Sequence, residues 1–442
     1  MAGEKVYIAD KETLDKIYNI LAVDPIYGFI EHMNILSPTQ RIEYIGLNKN
    51  FTPVSRNTNG SISLNDWAGF EILEANKPYM VRSDGTPDYR LQDNDYSKKY
   101  SDGSASDVAN TSYDGGAFSW LQKIYKNETV VGDDRIVKFS LTKREGYEPV
   151  GFIDPDNKEL EGVWLPMFYG SIVEDKMRSL SGLQPDYSKT TAAQKTAIDA
   201  VGNRAKFLGG AIVETIADLL LMFGKNSNIQ DVFGYGNCSG YDQSLTPTMG
   251  VKQNAVVGGG QFYATTDQKS LNKIFHSIVL GSYQQWMRDP YTLLVNGDYK
   301  VSKNYTYDVT GATYHNTGIV LPTTDQDKWD YPSHYTVVPG FGAVAIEPFN
   351  GSTVLGGCDG VYYHAEGTKV GLRFGRCNNG TDTGPRCIFL DADAGVAYWS
   401  IGSAILLLPP VGVAGVNRPP GGSGGALQSA TPPVEPKSLI HF

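Results

Sequence analysis

Long apolar runs, cysteines and charge are all scarce in this chain. No stretch reaches the ~20 consecutive apolar residues that a membrane-spanning helix needs. The most apolar one, residues 401–416, is interrupted by Pro409 and Pro410 and reads as a buried final strand followed by a turn. The next, residues 211–223, contains Glu214 and Asp218 and reads as a core helix. The opening Met-Ala-Gly-Glu-Lys has no apolar signal-peptide core. Membrane insertion is not expected. Only four cysteines occur, Cys238, Cys358, Cys377 and Cys387, and none forms a C-x-x-C pair. That excludes a disulfide framework and makes free thiols the default, with a Cys377–Cys387 bridge across a loop as the alternative. Assembly in a cytosol would keep the thiols reduced.

Charged residues make up 19% of the chain, below the usual quarter or so. The net charge of −10 is spread without long blocks, and no basic stripe marks a nucleic-acid partner. The usual catalytic and metal signatures are also missing. His364-Ala-Glu366 with Pro385-Arg-Cys387 is close to a zinc-deaminase pattern, but Arg386 separates the proline from the cysteine and no second cysteine follows three residues on. Asp391 and Asp393 share one face of an extended strand, yet no calcium loop follows and they read as turn aspartates. The six histidines are scattered, with no i, i+4 pair. Gly421-Gly-Ser-Gly-Gly425 lies in a flexible-looking tail, without the strand–turn–helix frame of a nucleophile elbow. Gly340-Phe-Gly-Ala-Val-Ala345 is followed by Pro348 where a dinucleotide-binding helix would run. No metal and no cofactor are expected, and the warrants for an enzyme are missing.

What is abundant is glycine, 49 of 442 residues against a typical ~7%, together with 27 tyrosines and 23 prolines. This composition describes a β- and loop-rich body. The length allows two to four domains at roughly 100–200 residues each. Residues 1–25 form an arm: over residues 10–23, Leu14, Ile17 and Leu21 recur at helical spacing. A helix this short is marginal alone, so it either docks on a neighbour or pairs around an oligomer axis. Residues 26–110 read as short strands and turns, with residues 41–45 alternating polar and apolar and turn dipeptides at Asp84-Gly85 and Asp102-Gly103. Residues 111–412 read as one larger unit. Strands are expected at 124–125, 136–141 and 163–169. Helices are expected at 191–208, capped by Thr190 or Thr191, and at 211–223, closed by Gly224 as C-cap. Residues 413–442 are a Pro/Gly/Ser-rich tail without a core of its own. The fold class is α+β: a β-rich N-terminal region, then a domain with two helices and short strands.

Residues 350–408 are crowded with Gly, Cys, Asn, Asp, Tyr and Trp. Tyrosine and tryptophan supply rigid contact area, while Asn, Ser and Gly supply adaptable hydrogen bonding, the composition of binding surfaces. The alternative reading makes Phe374, Tyr398 and Trp399 core.

Gly356-Gly-Cys-Asp-Gly360, Cys377-Asn-Asn-Gly380 and the closing Tyr398-Trp-Ser-Ile-Gly-Ser-Ala-Ile405, with Met177-Arg-Ser-Leu-Ser-Gly182 ahead of two helices, resemble the C-type-lectin-like domains of phage receptor-binding and retroelement-diversified variable proteins. More distantly they resemble the formylglycine-generating-enzyme fold. Residues 76–85, 102–110 and 162–170 resemble structural proteins of phages and prophages, and the likeness covers most of residues 5–412. Departures limit what carries over. Nothing marks a reactive cysteine pair, there is no histidine cluster for iron, and Glu347-Pro-Phe-Asn350 is one residue longer than the calcium-lectin tripeptide. The resemblance implies a bacteriophage virion structural protein of fibre or tail-tip type. Its lectin-like surface would bind a bacterial surface glycan or protein. It further implies a homo-oligomer, preferentially a trimer, assembled with other virion proteins in the host cytoplasm. A capsid or tail decoration protein, or a glycan-degrading enzyme, is the alternative. The binding face is expected on the loops between Cys358 and Trp399, with Tyr362, Tyr363, His364, Arg373, Arg376, Asn378, Asn379, Asp382, Tyr398 and Trp399 as candidates. Leu14, Ile17 and Leu21 are the candidates for oligomerisation.

Overall fold

A computed structural model describes residues 25–239, 256–258, 260–321 and 328–410. The arm bearing Leu14, Ile17 and Leu21 and the tail 413–442 lie outside the described residues. The architecture is β-rich and mixed, 36% strand and 14% helix, with several antiparallel sheets and one sheet curled into a half barrel.

A four-stranded sheet runs in the order Ile42–Gly46, Ile26–His32, Asp134–Ser140, Tyr125–Val131. Alternation decides its faces. In Asp134–Ser140, Arg135, Val137 and Phe139 are buried while Ile136 and Lys138 are partly exposed. In Ile26–His32, Phe29 and Glu31 are buried. The period of two thus carries two charged side chains inward with the apolar ones.

A six-stranded sheet takes Ala205–Phe207, Ile405–Leu407, Gly162–Pro166, Gly115–Gln122, Pro78–Arg82 and Pro87–Arg90 in that order. Pro78–Arg82 pairs with Gly115–Gln122, and Ile26–His32 pairs with Asp134–Ser140. Strands from the two sides of the expected 110/111 boundary therefore pair in both sheets. One apolar cluster runs from Phe29 through Trp67 and Trp164 to Leu408. The reason is that residues 26–110 pair among themselves only locally, as Ile26–His32 with Ile42–Gly46 and Pro78–Arg82 with Pro87–Arg90, and the other edges of Ile26–His32 and Pro78–Arg82 find their hydrogen-bonding partners further along the chain.

The expected helix over 191–208 is shorter than its pattern suggested. It spans Thr191–Asp199, with Thr190 Oγ1 accepting from the Ala193 N–H at 3.2 Å. Gly202, at φ 146°, turns the chain, and Ala205–Phe207 becomes a strand on Ile405–Leu407. Ala205 and Phe207 are buried by strand alternation, which the helical spacing of residues 198–208 had mimicked.

The Ala211–Gly224 helix is buried at every position. It ends one residue later than expected: Lys225, not Gly224, takes the left-handed conformation (φ 48°) and its N–H bonds the Leu221 carbonyl. A helix buried all round packs against sheets on several sides. Its two acids are four residues apart and share a face, and that face meets the charged groups of the sheets.

The third large sheet runs His315–Val320, Asp298–Val301, Trp286–Val295, Thr368–Arg373, Ile388–Ala392, Val361–Tyr363, and Ile401–Gly402 adds parallel to Trp286–Val295. The expected closing strand 398–405 is split. Ile401–Gly402 joins this sheet, while Ile405–Leu407 joins the six-stranded one. The C-terminal segment thereby laces two sheets together. Among the described residues no helix is long and apolar enough to cross a membrane.

Candidate ligand-binding site

Strand alternation in the third sheet sorts the candidate residues onto two faces. In Val361–Tyr363, Val361 and Tyr363 enter an apolar cluster with Leu294, Tyr299 and Leu390, while Tyr362 faces the other way. In Ile388–Ala392, Ile388 and Leu390 join that cluster and Phe389 and Asp391 do not. In Thr368–Arg373, Leu372 packs on Trp286, whereas Arg373 points into a buried ion cluster.

The outward face is a cleft of about 420 Å³. Its floor is aromatic. Trp286 and Trp329 stack at 6.1 Å between centroids and 17° between planes, and Tyr362 and Phe389 at 4.9 Å and 12°. Trp329 meets Tyr362 edge-on at 5.6 Å, closing the four rings into one patch. Trp286 is only 4% exposed and anchors the patch; Trp329 and Tyr362 are half-buried. At Gly360 a Cβ would stand 2.7 Å from the Trp329 ring, so glycine there seats the indole. Arg376, Asn379, Asp391 and Tyr398 form the polar rim.

Arg376 donates to Ser400 Oγ at 2.9 Å and lies against the rings of Tyr398 and Trp399, 5.9 and 5.8 Å from their centroids. Asn379 closes the turn beneath it: its Oδ1 accepts from the Arg376 N–H at 3.1 Å. Tyr398 is 49% exposed. Asp391 is 3.7 Å from Lys369, which also reaches Asp393 at 3.0 Å. The two aspartates expected in a turn are thus held by one ammonium.

Of the ten candidates, Tyr362, Arg376, Asn379 and Tyr398 come together in the cleft, with Trp399 behind Arg376. His364, Asn378 and Asp382 are half-buried outside its lining, and Asp382 accepts from the Tyr331 hydroxyl. Tyr363, 1% exposed, and Arg373, 2% exposed, are core. They cannot touch a ligand, because the strands that carry them turn their side chains away from the cleft. Phe374 is core as well. Trp286, Trp329 and Phe389 were not singled out from the sequence. Trp286 and Trp329 lie upstream of the loop-rich block that drew attention. Phe389 sits inside it, in an apolar run that reads as core.

Beneath the sheet lies an ion cluster. Glu31 receives Arg41 at 2.7 Å and Arg135 at 2.8 Å. Asp218 receives Arg135 at 2.9 Å, Lys126 at 2.8 Å and Arg386. Arg373 bridges Glu214 at 2.8 Å and Asp289 at 2.9 Å. Burial pushes the Glu31 carboxyl up, but Arg41, Arg135 and Arg386 outweigh it and hold it at about 2. Asp218 is likewise held low against burial by Arg135, Lys126 and Arg386. Asp359 is the opposite case. Burial pushes it up to about 7, although it accepts the Arg386 N–H at 2.6 Å. The cluster joins the four-stranded sheet, the buried helix and the sheet that carries the cleft, so the aromatic floor rests on a rigid support.

The four cysteines are buried and unbridged. Burial raises the thiols of Cys238 and Cys358 to about 11 and about 12. Among the described residues no group of three His, Cys, Asp or Glu side chains is placed to hold a metal ion.

No protein-family model matches the chain, and no curated protein matches it in sequence.

Proposed function

We propose that this protein is a structural component of a bacteriophage particle, of fibre or tail-tip type, that attaches to a bacterial surface glycan through the aromatic cleft. In this reading the C-type-lectin-like part of the chain carries the Thr191–Asp199 and Ala211–Gly224 helices ahead of the short-stranded sheet, and it shares sheets and core with residues 26–110. The observation that carries the proposal is the four-ring patch of Trp286, Trp329, Tyr362 and Phe389, rimmed by Arg376, Asn379 and Tyr398. Flat aromatic faces bordered by hydrogen-bonding groups suit the apolar face and hydroxyl edge of a sugar ring. A trimer built on Leu14, Ile17 and Leu21, held with other virion proteins, would present several clefts at once and multiply weak single-site affinity.

The test is binding of the fluorescently labelled full chain to host cells. Trp329→Ala, which truncates a half-buried ring at the cleft, should lower attachment by about tenfold or more, as removal of a central aromatic anchor does. Attachment equal to the parent's, with an unchanged thermal midpoint, would overturn the proposal.

A further inference from the structure

We infer that the cleft selects a carboxylate-bearing saccharide and that Arg376 is the group that holds its acid; this rests on reading the cleft as a glycan site. Four buried arginines have carboxylate partners: Arg41 and Arg135 with Glu31, Arg373 with Glu214 and Asp289, Arg386 with Asp218. Two others, Arg178 and Arg288, are held by neutral oxygens inside the fold and do not line the cleft. Arg376 differs. It is half-buried, its guanidinium is held by the Ser400 hydroxyl and two aromatic rings, and among the described residues it makes no ion pair. Its Nε is buried and finds no acceptor among the described residues.

A guanidinium packed on aromatic rings and short of anionic acceptors is partly desolvated, and its planar fork matches a carboxylate in two parallel hydrogen bonds. The competing acid in the cleft, Asp391, is offset by Lys369. A pyranose lying on Tyr362 and Phe389 would place its ring substituents toward the polar rim, where Arg376 takes a carboxylate and Asn379 a hydroxyl.

The experiment is calorimetric titration of the full chain with galacturonic-acid oligomers and with galactose oligomers of the same length, at low and moderate salt. The acidic oligomer should bind about tenfold or more tightly than the neutral one, and more weakly as salt rises. Arg376→Gln should abolish that preference, bringing the acidic affinity down to that for the neutral oligomer, and Arg376→Lys should restore part of it. Equal affinity for both oligomers, with no effect of Arg376→Gln, overturns the selection for acid and leaves the cleft as a neutral-glycan site. Binding of neither oligomer also overturns the inference. In that case host-cell attachment of Trp329→Ala decides the cleft itself: loss of attachment retains it, and no change removes it as well.

Discussion

The guanidinium groups of Arg135 and Arg386 both donate to the same oxygen, Oδ1 of Asp218, and both lie against the ring of Tyr335, at 5.9 and 4.7 Å from its centroid. Arg135 belongs to the four-stranded sheet and Arg386 to the turn leading into Ile388–Ala392. One carboxylate on the buried helix therefore ties together two sheets far apart in sequence. Two cations so close repel unless that charge stays in place.

Asp218→Asn keeps the shape and removes the charge. It leaves Arg135, Arg386 and Lys126 buried with too little negative charge, and should destabilise by ~3–5 kcal/mol, the usual cost of breaking a buried pair from one side. A urea midpoint that shifts by less than about 1 kcal/mol equivalent would mean that water reaches the cluster.

Acid should dismantle the same cluster. Glu31, at about 2 when folded, lies below its ordinary value. Its contribution is present above the unfolded carboxyl range near 4.5 and is lost as pH falls from there through 2. The shift corresponds to roughly 3 kcal/mol. Asp359 acts in the other sense. Its folded value of about 7 means that the folded state holds a proton the unfolded chain has released. Its stabilising contribution is present below about 4 and is lost as pH rises to 7. Asp186, pushed up to about 6 by burial, adds in the same direction. Asp359→Asn should flatten the decline of thermal midpoint between pH 4 and 7 without changing the acid limb below 4. An unchanged slope would remove Asp359 as its source.

Neighbours in one strand should part company under mutation. Tyr362→Ala should weaken host attachment with a small change in stability. Tyr363→Ala should cost ~3–5 kcal/mol of stability, and Arg373→Ala a similar amount by stranding Glu214 and Asp289. Thermal midpoints measured beside cell binding separate the two classes. Loss of binding by a folded, parent-like Arg373→Ala would contradict the assigned faces.

Gly360→Val should displace the Trp329 indole, because even a Cβ there would approach the ring to 2.7 Å. The expected signature is altered tryptophan fluorescence together with weakened attachment. Unchanged fluorescence and attachment would show that the ring has room to move.

The buried thiols should be inert in the native state. Ellman's reagent at pH 8 should titrate Cys238, Cys358, Cys377 and Cys387 only after denaturant is added, since burial blocks all four and disfavours the thiolate of Cys238, Cys358 and Cys387. Rapid native reaction of any one would point to local opening.

Much of the local structure was legible along the chain. The Ala211–Gly224 helix announced itself by an apolar run holding only two acids, Glu214 and Asp218, and the strands around Ile42 and Val137 by their alternation. The scarcity of cysteine and the unbridged thiols agree. Alternation is a local property, however, and it says only that Tyr362 and Tyr363 point oppositely. Which of them meets the core depended on what packed beneath the sheet, and that was the buried helix with Glu214 and Asp218. The same tertiary step assigned Arg373 to the core and Arg376 to the cleft. It also turned residues 205–207 from the end of a helix into a strand, because the C-terminal Ile405–Leu407 offered backbone partners there. Trp286 and Trp329 reached Phe389 only through strand pairing and packing between segments remote in sequence. Composition determined that this is a β- and loop-rich chain. Long-range burial alone decided which aromatic rings face outward.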